Sequence, residues 1–329
     1  MAKVAVIGSN SFSGSHFVNT LINKTDYDIV GISRSSEYNE SFLPYRPLED
    51  TNRFKFHQLD LNQNLEEILD VINEEKIEKV INYAAQGMVG QSWDNPLHWF
   101  TTNTLGIVGL TEGLRKMSDF KKYVQISTPE IYGTCENITE SCPFDPSTPY
   151  AASKAGGDMF IATLVKNFNF PATFVRSTNV YGPAQQLFRI IPRSIIYTKM
   201  GKTISLQGGG KAVKSFLHID DNCGGTLKIM EQGKSGEVYH LSPDGGHSIE
   251  SIVRIICDKT HHDFDQVTEI TGERQGEDAV YILDSLKARN ELNWRPTIGI
   301  SEGIDGCIDW VNKNWRVIQN SPLEYVHKE

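Results

Sequence analysis

The chain has 329 residues, 39% hydrophobic and 22% charged, with a formal net charge of −9. That length allows one large domain or two smaller ones with substantial cores, and the acidic balance argues against nucleic acid or a membrane surface as partner. No apolar run approaches the roughly 18 residues of a membrane span. The first residues pass straight into a strand pattern rather than a signal peptide. The five cysteines, odd in number and without a CxxC pair, fit a reduced cytoplasmic protein with no structural zinc.

Residues 3–7 (KVAVI) form a continuous apolar run with β-branched side chains, the pattern of a strand buried on both faces. Residues 8–14 make a glycine- and serine-rich turn, SHFVNTLINK has helical spacing, and a second apolar strand follows at 28–32. Strand, glycine turn, helix, strand is the order of a dinucleotide-binding unit. Amides at the helix start face the pyrophosphate, and missing side chains let the backbone approach it. Gly8, Ser11, Phe12, Ser13 and Gly14 are the candidate contacts.

The alternation continues. FKFHQLDL is a strand ending at Asp60, LEEILDVINEEK an amphipathic helix, KVINYAAQ a strand, and 97–117 a helix. KKYVQIST is the next strand, a helix starts near Tyr150, and ATFVRSTNVYG is another strand. Strands alternating with helices predict an α/β fold with a Rossmann-type, doubly wound parallel sheet, whose site lies at the carboxyl ends of the strands. Leu61, Ala84, Ala85, Gln86, Thr128, Glu130 and Asn179 fall at or next to those ends.

Past about residue 184 the rhythm loosens into a helical QQLFRIIPRSIIYTKMGK, a glycine-rich LQGGGKAVKSFLHIDD and further short elements. The expected division is a cofactor-binding domain at 1–183 and a smaller mixed lobe at 184–315. That lobe mainly binds substrate and can return segments to the first sheet. A polar, mobile tail is expected at 316–329.

The reactive groups cluster between 127 and 154. In YAASK, Tyr150 and Lys154 stand one helical turn apart on one face, with Ser147 or Thr148 to cap and Pro149 in the first turn. A free phenol has a pKa near ~10, and a neighbouring ammonium lowers it. A tyrosine so tuned can take a hydroxyl proton while hydride leaves the same carbon.

Together with STPEIYG, these motifs resemble the extended short-chain dehydrogenase/reductases, over roughly residues 3–310. Within that family the chain is similar to the nucleotide-sugar 4,6-dehydratases. NYAAQGMVGQSWDNP, STPYAASK, STNVYGP, GGGKAVKSFLHIDD and QGEDAVYILD followed by LNWRP carry the likeness. The resemblance implies Thr128, Glu130, Tyr150 and Lys154 as the catalytic set. It implies a cytoplasmic homodimer, and a bound nicotinamide cofactor that stays in place because the cycle is redox-neutral. C4 of a nucleotide-diphosphate hexose is oxidised, Glu130 removes the acidified C5 proton, the C6 hydroxyl leaves as water, and hydride returns to C6. Substrate contacts are expected from Asn179, Arg189, Lys214 and Arg274.

Three departures from the family pattern matter. Ser11 replaces the middle glycine of the turn, which is tolerable if its dihedrals are ordinary. Pro129 stands where dTDP-glucose enzymes carry an aspartic acid, so Glu130 must serve as base and then acid, or act through water. Arg34, Ser35 and Ser36 end the second strand where an acidic residue would face an NAD ribose, which favours NADP over NAD. Asp60 is expected at the adenine. No histidine shows ligand spacing, so no catalytic metal is expected. A 4-epimerase or a UDP-glucuronate-type decarboxylase on the same scaffold is the alternative, and a non-catalytic nucleotide-binding protein a remoter one.

Overall fold

The structure is a computed structural model that describes residues 2–47, 52–272 and 279–328. Strands β1 (Lys3–Ile7), β2 (Asp28–Ser33), β3 (Phe54–Gln58), β4 (Lys79–Asn82) and β5 (Lys122–Ile126) come first. They are followed by β6 (Cys135–Ile138), β7 (Ala172–Ser177), β8 (Asn179–Tyr181), β9 (Ile204–Gln207), β10 (Val213–Lys214) and β11 (Phe216–His218). The last are β12 (Val238–Leu241), β13 (His247–Ser248), β14 (Thr268–Thr271) and β15 (Val280–Leu283). Seven of them form one sheet in the order β12-β7-β5-β4-β1-β2-β3, every neighbouring pair parallel. The order reverses between β1 and β4, and that switch point opens a crevice at the carboxyl ends.

The apolar run of β1 is explained by its two faces. Val4 and Val6 enter one core with Phe17, Leu21 and Cys223, while Ala5 and Ile7 enter the other with Ile68, Ile107 and Leu110. Burial of each of these larger side chains is worth roughly 1.5–3 kcal/mol. Helices α1 (Phe12–Lys24), α2 (Leu65–Glu74), α3 (Pro96–Phe100), α4 (Gly106–Leu114) and α5 (Pro149–Phe168) cover the sheet.

Two elements differ from the sequence expectation. The helix expected over 97–117 is α3 and α4 joined by a π turn, Thr101–Leu105, in which Asn103 is buried. The strand expected from ATFVRSTNVYG breaks at Thr178: β7 stays in the large sheet, and β8 leaves it to pair with β11. This break hands the chain to the smaller lobe. There α6 (Ile190–Met200) packs with 249–260 and 300–313, and β13-β10-β15-β6 form a mixed sheet. Helix α7 (Ile219–Gln232) and β12 return to the first layer, α7 against α1 and β12 as its edge strand. After Trp315 the chain is not only polar: Ile318 is fully buried and Leu323 packs beside it. Among the described residues no helix is long and apolar enough to cross a membrane.

Candidate active site

The glycine turn shows why two glycines suffice. Gly8 has φ +83°, and a Cβ there would lie 2.6 Å from the Ala84 amide nitrogen. A Cβ on Gly14 would lie 2.2 Å from the Gly8 carbonyl oxygen. Ser11, by contrast, has φ −69° and ψ 159°, open to any residue, and it caps α1 by accepting from the Gly14 amide at 3.0 Å. The departure at Ser11 therefore adds a cap without strain. Helix α1 carries no acidic residue in its first turn, so no carboxylate of that turn offsets the dipole at the crevice.

Asn10, which the sequence reading passed over, ties this turn to the end of β2. Its amide nitrogen donates to Ser33 Oγ, and its side chain donates to the carbonyls of Ser35 and Ser36, all at 2.9 Å. Ser35 and Arg34 are thereby held at the crevice edge. Asp60 accepts from the Asn62 amide at 2.8 Å, so its carboxylate shapes the loop in which Leu61 and Asp60 line the crevice. At the end of β4, Ala84 donates its amide to Asn82 Oδ1 at 3.1 Å. Both backbone groups of Gln86 bond to the Asn103 side chain, at 2.9 and 3.0 Å. Asn103 is the second residue that was missed, and the π turn is what points it there.

Thr128 follows β5 and caps the 3-10 turn Pro129–Tyr132, its hydroxyl accepting from the Glu130 amide at 3.3 Å. Pro129 occupies the first position of that turn, which suits its fixed φ. Helix α5 begins after Thr148, whose hydroxyl accepts from the Ala151 amide at 3.2 Å, with Pro149 at its first position. Tyr150 is thus brought to Thr128, with which it shares a hydrogen bond, and into the field of Glu130. Lys154 is buried and donates to the Ile126 carbonyl at 2.7 Å.

The electrostatics differ from expectation. Burial first, and the Glu130 carboxylate second, push the Tyr150 phenol above its ordinary value, against the Thr128 hydrogen bond and the Arg189 charge. The expected lowering by Lys154 does not prevail in the protein alone. Burial lowers Lys154 itself to about 8, against the opposing charge of Asp158. Asp158 lies four residues past Lys154, completing a Tyr150, Lys154, Asp158 ladder on α5 that the sequence spacing could have revealed. It is buried with Arg176 at 2.9 Å, accepts from Ser127 at 2.6 Å, and connects through Arg176 to Tyr132.

Asn179 enters the same crevice from β8 and accepts a hydrogen bond from Tyr281. Lys214 lies over the Tyr281 ring at 5.1 Å. Arg189 precedes α6 and donates to the Gly87 carbonyl at 3.4 Å. Arg274 lies outside the described residues. Apart from Gly14, which packs against the Gly8 carbonyl, and Ser36, the other residues expected to bind cofactor or substrate, together with Thr128, Glu130, Tyr150 and Lys154, line one cleft of about 1050 Å³. The tight glycine turn, the amides of α1 and the polar edge from Ser33 to Ser36 fit a nicotinamide dinucleotide.

The chain is 30% identical over 331 residues to the dTDP-glucose 4,6-dehydratase of Mycobacterium tuberculosis, covering 97% of each. Among solved structures it is similar to dTDP-glucose 4,6-dehydratase from Streptomyces venezuelae with NAD bound, with TM-score 0.89 and 26% identity over 96% of this chain and 98% of that one. It is also similar to UDP-glucuronic acid 4-epimerase from Bacillus cereus in complex with UDP-glucuronic acid and NAD, with TM-score 0.87 and 25% identity over 94% and 99%. A family model described as GDP-mannose 4,6 dehydratase matches residues 6–307, which takes in both the cofactor turn and the smaller lobe, and the chain belongs to that family.

Proposed function

We propose that the protein is a nucleotide-sugar 4,6-dehydratase, converting a nucleotide-diphosphate hexose to the 4-keto-6-deoxy sugar with a bound nicotinamide cofactor. The observation that carries this is the placement of Glu130: a carboxylate on the turn after β5, in the same cleft as Tyr150 and close enough to raise its phenol. Hydride exchange at C4 alone needs only the tyrosine, the lysine and Thr128. A carboxylate beside them supplies what elimination needs, a base for the C5 proton.

The bound cofactor supplies the hydride acceptor and donor and, when oxidised, a positive charge that favours the phenolate. Tyr150 takes the C4 hydroxyl proton, and Thr128 holds the same oxygen through its hydroxyl. Lys154, fixed by the Ile126 carbonyl, keeps a cation under the reacting region. Glu130 removes the C5 proton and gives it to the departing C6 hydroxyl, since Pro129 has no proton to give, and C5 regains a proton that balances the one Tyr150 took from the C4 hydroxyl. Asn179, Arg189 and Lys214 serve the sugar and diphosphate. Residues 1–183 hold the cofactor, and 184–315 mainly the nucleotide sugar.

Arg34, Ser35 and Ser36 favour NADP, because a guanidinium and hydroxyls suit a 2′-phosphate better than a carboxylate would. Exposed Leu97, Leu105, Met159 and Phe168 on α3, the π turn and α5 support a homodimer through that face. Five free cysteines fit a cytoplasmic protein. Incubation with GDP-, dTDP-, UDP- and CDP-sugars, read by product mass, is the test. Loss of one water supports the proposal. An isomer of unchanged mass, or loss of carbon dioxide, overturns it in favour of epimerisation or decarboxylation.

A further inference from the structure

Segment 321–328 returns from the smaller lobe to the mouth of the cofactor groove. Its burial alternates: residues 321, 323, 325 and 327 are half-buried, and 322, 324, 326 and 328 are exposed. That period of two belongs to an extended chain laid on a surface with one face inward. The inward side chains have specific seats. Tyr325 meets the Phe188 ring edge-on at 5.4 Å, beside Arg189 of the substrate side. The His327 ring stacks on the buried Trp99 at 5.2 Å and 7°, and its Nε2 pairs with His98 Nδ1 at 2.8 Å. Beyond it, the Lys328 carbonyl accepts from Gln86 Nε2 at 2.7 Å and from Arg34 at 3.2 Å. The Lys328 ammonium lies over the Tyr38 ring at 5.4 Å, and Tyr38 Oη accepts from Ser35 at 3.2 Å.

We propose that segment 321–328 is part of the cofactor site: a strap that closes the adenosine end of the groove and adds Lys328 as a second cation beside Arg34. The proposal rests on the reading of this groove as the dinucleotide site. Three observations carry it. The strap bonds to Arg34 and Gln86, one at the end of β2 and the other at the end of β4, so it spans the switch-point crevice. Tyr325, Val326 and Lys328 form a wall of the 1050 Å³ cleft whose floor is the glycine turn, so the strap roofs the groove and does not fill it. Two positive side chains and the Ser35 hydroxyl gather at one edge, the grouping a phosphomonoester on the ribose would select.

The strap also fits the chemistry. A cycle that returns its hydride within one turnover has no need to exchange cofactor. A cover that slows cofactor release therefore costs nothing in rate, while substrate enters from the Asn179 side.

The test compares the full chain, a form truncated after Asn320, His327→Ala and Lys328→Ala. Cofactor carried through purification is measured after denaturation, and release of NADH and NADPH is followed by fluorescence on dilution into excess trap. Truncation and His327→Ala should each speed release of both cofactors by about tenfold or more, as loss of a half-buried anchor stacked on a buried ring would. Lys328→Ala should weaken NADPH by about threefold and leave NADH unchanged, in line with one exposed cation. Unchanged release from both the truncated form and His327→Ala overturns the strap. Slower release also overturns it, because the segment would then be a plug competing for the groove. If the full chain binds neither cofactor, the underlying reading of the groove fails; if it binds them and only the variants fail to respond, the strap alone does.

Discussion

Glu130→Gln separates the proposed role of this side chain as a base from its effect on the Tyr150 phenol. The substitution keeps the shape and removes both the base and the charge. Losing a positioned general base slows the elimination by about 10²- to 10⁴-fold, or roughly 3–5 kcal/mol of barrier. Losing the charge acts on a different atom. Glu130 is the second-largest cause, after burial, of the raised Tyr150 phenol. Its removal makes the phenolate easier to form, so the limb on which C4 oxidation rises with pH should move to lower pH. The assay is a single turnover by rapid mixing across a pH series, reading reduced cofactor by absorbance and product by mass. The expected result is reduced cofactor that accumulates without loss of water, with its pH limb displaced toward acid. Dehydration at the wild-type rate would refute the base assignment. A limb that stays in place or moves toward alkali would refute the coupling of Glu130 to the phenol.

On the proposed NADP preference, replacing Arg34 by Asp would exchange a phosphate partner for a ribose hydroxyl partner. The ratio of NADPH to NADH affinity should fall by about tenfold or more, measured by fluorescence titration, and an unchanged ratio would remove Arg34 from cofactor choice. Acid should destabilise the fold before the carboxylates titrate. Burial, with the Arg176 charge second, holds His240 at about 3, and burial holds His16 at about 4. Both values lie below the unfolded value of about 6.5, so the unfolded chain binds protons that the folded one refuses. Stability is therefore full above pH 6.5 and declines below it, by about 2 kcal/mol per histidine at pH 5. Urea midpoints at pH 7, 6 and 5 check this, and midpoints that do not move would show that neither ring is held neutral.

Much of the fold was legible because buried parallel strands leave a strong trace. KVAVI must serve two cores at once, so every position is apolar. The placement of Thr128 and Tyr150 was legible because strand ends and helix starts carry turn chemistry: Thr128 before Pro129, and Thr148 before Pro149. What escaped reading depends on partners distant in sequence. Asn103 is one asparagine in a helical pattern until a π turn aims it at Gln86. Asp158 looks like a surface charge until Arg176 arrives from β7. The strand break at Thr178 leaves no local mark, because β8 is drawn out of the sheet by β11, some forty residues later. His327 looks like part of a polar end until Trp99 gives it a seat.

Asn10 has a consequence for how this site can change. Its side chain grips the carbonyls of Ser35 and Ser36, and carbonyls are the same whatever residues bear them. The side chains at 34–36 can therefore be rewritten while the loop keeps its course, so a cofactor preference carried by them could drift, or be engineered, by exchange at those positions. Asn10 itself has no such latitude: one asparagine keeps the reading head in register for whichever nucleotide is being read.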